Sequence, residues 1–374
     1  MNACNISIYT SGQILTKAFS LVDGELIKRP GGHMTSGQVD RVTVTCPNDL
    51  AGIVLNLTTH QALGFGLSSH KIAHIVPQGI LDKIPQNPTM PTIARTAHNI
   101  AFAKGKPGIM MLDLDAPKDG TTPLTRDKAI ALITSVCPEL ARAPMVICDS
   151  ASSHIWNSET GEQLIGAGGL RIYIFVADAS DIPRAGKVLF KRLILAGHIR
   201  IGFSSAGTML VRSIIDSAVN QPERLDFAAG AHCQHPLEQR RPTPETFNND
   251  AGFLDTRQAI PCLTEVEGTQ YERIVDVAKD KVRPEAEQVR EAWLVNKVEA
   301  ELKQRGISSN THPEEARVVR DKLNRVATTN TLDKDFILNM KNGQSITVAE
   351  LLADPEKYHE TRMADPLDPG CYND

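Results

Sequence analysis

The sequence predicts an α+β protein: a mixed sheet with helices packed on it, followed by a mainly helical C-terminal part. Between residues 109 and 219, short apolar runs alternate with helix-length segments. After Ala231 that pattern breaks at Pro236, Pro242 and Pro244, and from Thr269 a long charged stretch carries Trp293, Val298 and Leu302 at helical spacing. With 374 residues, 41% hydrophobic and 22% charged, the chain can build two or three cores, which excludes a disordered tail.

In order along the chain, alternating Val42 and Val44 and the apolar run Ile53, Val54 and Leu55 suggest strands in a small N-terminal lobe. Residues 66–91 are rich in Pro, His and polar side chains and read as loop. A compact region follows, with strands over 109–115, 145–148 and 170–178 and helices over 126–136, 182–196 and 211–219. The polar run 246–250 and the prolines before it read as part of a linker over 236–268, after a first domain of residues 1–235. Residues 269–374 are expected to form a helical domain, interrupted by Pro284, with a second helix over 314–326. A small hairpin is expected across Asn342-Gly343, between Phe336-Ile337-Leu338 and Ile346-Thr347-Val348. The loop-like ending 365–374 reads as a truncation from a longer protein.

Forty Lys and Arg against 44 Asp and Glu give a net charge of −4, which excludes a uniformly basic, histone-like coat. The charge is uneven: residues 1–241 hold 23 basic and 19 acidic side chains, net +4, and residues 242–374 hold 17 and 25, net −8. The mildly basic part is therefore the expected nucleic-acid surface. Without an 18-residue apolar run or a signal-like N-terminus, the chain is expected to be soluble and cytoplasmic, with no membrane partner. Seven scattered cysteines without a Cys-x-x-Cys pair fit a reducing compartment. His232, Cys233 and His235, with Cys262 farther on, are an irregular zinc candidate set against ordinary loop residues.

Three segments carry chemistry. The apolar run from Gly108 ends in Asp113-Leu114-Asp115, and the period-two alternation of a strand places both carboxylates on one face. Two such acids repel unless a cation sits between them, which suits Mg²⁺ or Mn²⁺; the alternative is a strand end with two solvated acids. Asp149-Ser150-Ala151-Ser152-Ser153-His154 offers hydroxyl donors and a histidine with little bulk, suited to phosphate oxygens, or else a Ser-rich turn. In Ile214-Ile215-Asp216 a carboxylate rides an apolar element; it needs a cation or donor, or else it caps locally or pairs with Arg212 one helical turn earlier.

The order Asp-x-Asp, Ser-x-His, hydrophobic-Asp resembles the archaeo-eukaryotic primase superfamily, particularly the primase-polymerases of plasmids, phages and integrated mobile elements. The match spans residues 95–231, and Arg95-Thr96, Lys104-Gly105, Gly169-Leu170-Arg171-Ile172-Tyr173 and Arg224-Leu225-Asp226-Phe227 also look like that group. The resemblance implies a catalytic sheet related to RNA-recognition folds beside a small α/β lobe. It further implies that Asp113, Asp115 and Asp216 are catalytic and hold Mg²⁺ or Mn²⁺, and that Ser152 and His154 contact the nucleotide's phosphates. Arg171 and Arg224 are weaker carry-overs to the triphosphate, and Ser150 and Ser153 stay open because the hydroxyl run permits more than one register. The implied activity is template-dependent nucleotidyl transfer: a DNA primase or polymerase acting on single-stranded DNA with nucleoside triphosphates. A helicase motor, if the parent protein has one, would lie beyond Asp374.

The rivals are a two-metal nuclease or phosphohydrolase and a non-catalytic nucleic-acid-binding replication module. A tyrosine-dependent nicking initiator is disfavoured, because no His-hydrophobic-His pair stands near a tyrosine. Gly31-Gly32, Gly64-x-Gly66 and Gly166-x-Gly168-Gly169 match no Walker or dinucleotide fingerprint and read as turns.

Overall fold

A computed structural model describes residues 3–31, 34–81, 83, 90–116, 122–329, 331–340, 342–358, 361, 363–365 and 372–373. The chain divides into two compact units, one of residues Met1–His198 and Ser213–Tyr271, the other of residues Ile199–Arg212 and Glu272–Asp374. The protein is α+β, as its periodicities predict.

In the first unit, a four-stranded antiparallel sheet runs in the order Gly108–Leu114, Leu170–Val176, Met145–Asp149, Glu245–Phe247. The 170–176 strand is buried along its whole length, which explains its unbroken apolar run around Arg171. Strands 108–114 and 145–149 both run antiparallel to it, so they are parallel to each other and joined by helix Arg126–Val136, a split β-α-β arrangement. Thr125 caps that helix by accepting from the Lys128 amide.

A five-stranded sheet begins the chain, with Cys4–Thr10 between Gln61–Gly64 and Gly37–Val44, then Ile72–Ile75 and Thr92–Ile93. Residues 47–56, where the apolar run 53–55 suggested a strand, form a helix instead. Pro47 at its start and the spacing of Leu50, Ala51 and Val54 bury one face on the core shared with Ile109, Met111, Tyr173 and Phe175. Short strands Leu67–Ser68 and 72–75 also interrupt the stretch expected as loop.

Two further expectations change. Residues 211–219 are not a helix: Met209–Arg212 is a strand paired with Arg200–Phe203, and only Ser217–Val219 turns, as a short 3₁₀ segment. The hairpin places Arg212 opposite Arg200 and on another element than Asp216, which removes the alternative of a helical pair with Asp216. Residues 236–268 are not a linker: Leu237–Gln239 and Glu245–Phe247 add edge strands to first-unit sheets. The Thr256 hydroxyl donates to Asp181 at 2.5 Å, and Arg184 donates to the Ile260 carbonyl at 2.7 Å. The prolines start these elements rather than abolish order, because an edge strand tolerates a missing donor.

In the second unit, helix Glu265–Gln304, which begins in the first unit, packs Trp293, Leu294, Val298 and Leu302 against Val319, Leu323 and Ala327 of helix Pro313–Thr329. Ala206, in the hairpin turn, joins this core. The neighbouring Gly207 must be glycine: its φ is +70°, and a Cβ would stand 2.5 Å from the Ala286 carbonyl oxygen. The small hairpin forms as expected, with Ile337–Asn339 paired to Ser345–Thr347. No described helix is long and apolar enough to cross a membrane.

Pro284 lies exposed inside the 40-residue helix and cannot donate to the preceding turn. Pro284→Ala is expected to stabilise the second unit by up to about 3 kcal/mol, read as a higher urea midpoint for its transition. An unchanged midpoint would mean that the neighbouring turns already absorb the lost bond.

Candidate active site

Asp113 is the penultimate residue of the 108–114 strand, in register with Arg171 on the adjacent strand. On the strand's other side Leu114 bridges to Ile215, and the Asp216 amide donates to the Asp113 carbonyl at 2.9 Å. Two expected site segments, a hundred residues apart in sequence, are thus fastened backbone to backbone. Asp115 is exposed one step beyond the strand, and Asp216 is half-buried. Asp216 caps the 217–219 turn, its Oδ1 accepting from the Ala218 amide at 3.0 Å.

Burial pushes the half-buried Asp113 carboxyl above the usual carboxylate range; Arg171 pulls it back, while Asp226, Asp115 and Asp216 push it further up. Three neighbouring acids therefore act on Asp113, and a divalent cation would relieve that repulsion. An all-carboxylate donor set suits a hard, oxygen-seeking cation. Among the described residues, however, no group of three or more His, Cys, Asp or Glu side chains stands at metal-ligand spacing. The backbone brings the three carriers together; their carboxylates are not drawn in to a common point.

The second segment leaves the Met145–Asp149 strand. The Ser150 amide donates to the Gly169 carbonyl at 2.8 Å, and the Ser150 hydroxyl lies 3.3 Å from that of Ser152 and 3.1 Å from that of Ser153. Ser150 and Ser153 are buried, whereas Ser152 accepts from the Lys17 ammonium at 3.3 Å. Ser150 and Ser153 thus turn into the bend, and Ser152 is half-buried against Lys17. His154 adopts φ +58°, and its Nε2 lies 2.6 Å from Asp149, whose other oxygen accepts from Arg126 at 3.0 Å. Among the described residues, Nδ1 of His154 has no partner, so Asp149 orients the ring and leaves one nitrogen for a ligand.

The two arginines part company with their expected role. Arg171 is buried and its Nε forms an ion pair with Asp226 Oδ1 at 2.7 Å, while Asp226 Oδ2 accepts from the Tyr173 hydroxyl at 2.6 Å. Burial opposes its charge, but Asp226 and then Asp113 outweigh that and hold the guanidinium firmly protonated. Arg171 is thus a fixed charge beside Asp113 rather than a free arm. Arg224 is exposed and lies near Arg95, itself bonded to the Glu223 carbonyl at 2.7 Å; it does not join the acids.

Sequence reasoning missed Lys17, gave Asp149 and Asp226 no role of their own, and read the glycines only as turns. A Cβ at Gly168 would stand 2.7 Å from the Ser153 hydroxyl, and one at Gly169 would stand 2.6 Å from the Leu114 carbonyl. The run Gly166-x-Gly168-Gly169, read as a turn, lets the two site segments approach. Gly169→Ala should displace residues 114–116. A stability loss of about 1–3 kcal/mol is expected, read by urea titration, and an unchanged midpoint would show that the strand end yields freely.

The zinc candidate disperses. His232–Cys233 pairs with the Ala18–Val22 strand, His235 contacts Glu159 at 3.1 Å, and Cys262 lies 3.7 Å from Arg184. Comparison with known proteins returns no matching family model and no significant match to a curated protein or a solved structure.

Proposed function

We propose that the chain is a template-dependent nucleotidyltransferase of primase-polymerase type, synthesising or extending primers on single-stranded DNA from nucleoside triphosphates. The observation that carries this reading is the backbone union of the Asp113 strand end with Asp216, beside a hydroxyl turn that ends in an oriented histidine. The split β-α-β sheet supports the kinship with RNA-recognition folds.

Asp113, Asp115 and Asp216 would hold Mg²⁺ or Mn²⁺, which when bound supplies activation of a hydroxyl and neutralisation of the triphosphate. The chain's own groups do the rest. Ser152 and His154 contact phosphate oxygens, Asp149 keeps the imidazole aimed, and the Arg171–Asp226 pair holds a cation behind Asp113 without offering it to solvent. Nothing in the arrangement requires a covalent nucleophile.

The test is incorporation of labelled nucleotide opposite a single-stranded DNA template with Mn²⁺ or Mg²⁺. Extension of a primer, or synthesis without one, is expected. Cleavage of the strand in place of extension would move the site to the nuclease reading, and binding without either reaction would move it to the non-catalytic one.

A further inference from the structure

Lys17 lies outside all three chemistry-bearing segments, just before the Ala18–Val22 strand. Its carbonyl accepts from the His232 amide at 2.9 Å, which fixes the backbone where the side chain leaves it. Phe19, two residues on, packs with Ile155 and Leu237, so the strand is anchored to the residue that follows His154. The ammonium donates to Ser152 at 3.3 Å, a neutral partner, and among the described residues it makes no ion pair.

Around it the charges are mixed. Lys28, on the paired Glu25–Arg29 strand, and Arg171 repel it, while Asp113 and Asp115 attract it from within electrostatic reach. Arg171 is committed to Asp226 and Arg224 lies by Arg95, which leaves the expected cationic contact unfilled by either. A partly buried lysine held only by a hydroxyl, with a second exposed lysine beside it, favours a multiply charged anion over a single carboxylate.

We propose that Lys17, with Lys28 beside it, grips the phosphate tail of the incoming nucleoside triphosphate between Ser152 and the Asp113 strand end. This assignment rests on the nucleotidyl-transfer reading for the identity of the ligand, but the anion site itself is measurable without turnover. The ammonium acts by charge and hydrogen bonding alone, and no bond to it forms.

The full chain is titrated with a non-hydrolysable nucleoside triphosphate, the matching monophosphate and inorganic tripolyphosphate. Wild type is expected to prefer triphosphate over monophosphate, with tripolyphosphate competing. Lys17→Gln should weaken triphosphate binding about tenfold, with monophosphate binding unchanged, and in primer extension should raise KM far more than it lowers kcat. Lys28→Gln, an exposed change that cannot unfold the chain, should weaken triphosphate binding about threefold. Wild-type triphosphate affinity in both variants would overturn the proposal.

The two readings fail separately. If Lys17→Gln extends primers with unchanged KM, the Lys17 assignment falls and the polymerase reading stands. If wild type binds tripolyphosphate through Lys17 yet incorporates no nucleotide, the anion site stands and the polymerase reading falls.

Discussion

Asp113→Asn is expected to lower nucleotide incorporation by at least about 10²–10³-fold while raising thermal stability in metal-free buffer near neutral pH. The first effect follows from position: Asp113 is the carboxylate flanked by Asp115 along the chain, Asp216 through the backbone and Arg171 across the sheet. The second follows from the sign of its pKa displacement. Burial first, and the neighbouring acids after it, raise the folded value above the ordinary one, so the protonated carboxyl favours the folded state. That stabilisation is complete below the ordinary carboxylate pKa and is lost as pH rises through the raised folded value. Asparagine, uncharged throughout, escapes the loss, so the gap in melting temperature should open with rising pH and then level off. Added Mn²⁺ should raise the melting temperature of wild type more than that of the variant. Incorporation equal to wild type would remove the site assignment, and a variant less stable than wild type at neutral pH would reverse the electrostatic argument.

Asp226→Ala carries the largest expected effect on folding, a loss of about 3–5 kcal/mol. Asp226 is 3% exposed and serves both the Arg171 guanidinium and the Tyr173 hydroxyl, two groups on the fully buried central strand. Its removal leaves a buried cation without its ion-pair partner and a buried phenol without its acceptor. Chemical denaturation followed at the first-unit transition measures the loss. The double change Arg171→Met with Asp226→Leu should recover most of it, because removing both charges also removes their desolvation cost. A loss below about 1 kcal/mol in Asp226→Ala would show that water reaches Arg171 and that the pair is not what holds the strand.

How far the sequence led depends on the range of the interaction involved. The strands at 108–114, 145–149 and 170–176 and the helix at 126–136 were legible because each is specified by its own apolar periodicity. The second unit's helices were legible for the same reason, and its hairpin from Asn342-Gly343. The 47–56 helix was misread because three adjacent apolar residues have no period of their own; its face is defined by Leu50 and Val54 together with Pro47. The segment 211–219 was misread because its β-branched residues suit either state; pairing with residues 200–203 makes 209–212 a strand, and only 217–219 turns. Residues 236–268 were misread because prolines mark edges as well as linkers.

The candidate site divides along the same line. Sequence alone determined the α+β class and picked out Asp113, Asp115, Asp216, Ser152 and His154 as chemically suited groups, since residue type and local spacing are written in the chain. Only the tertiary structure decided that Asp216 is fastened to Asp113, that Ser152 faces Lys17 while Ser150 and Ser153 turn inward, and that Arg171 belongs to Asp226. Those outcomes depend on which strands become neighbours and which close approaches glycines 168 and 169 permit. Burial and charge pairing are properties of that assembly, so no local pattern encodes them.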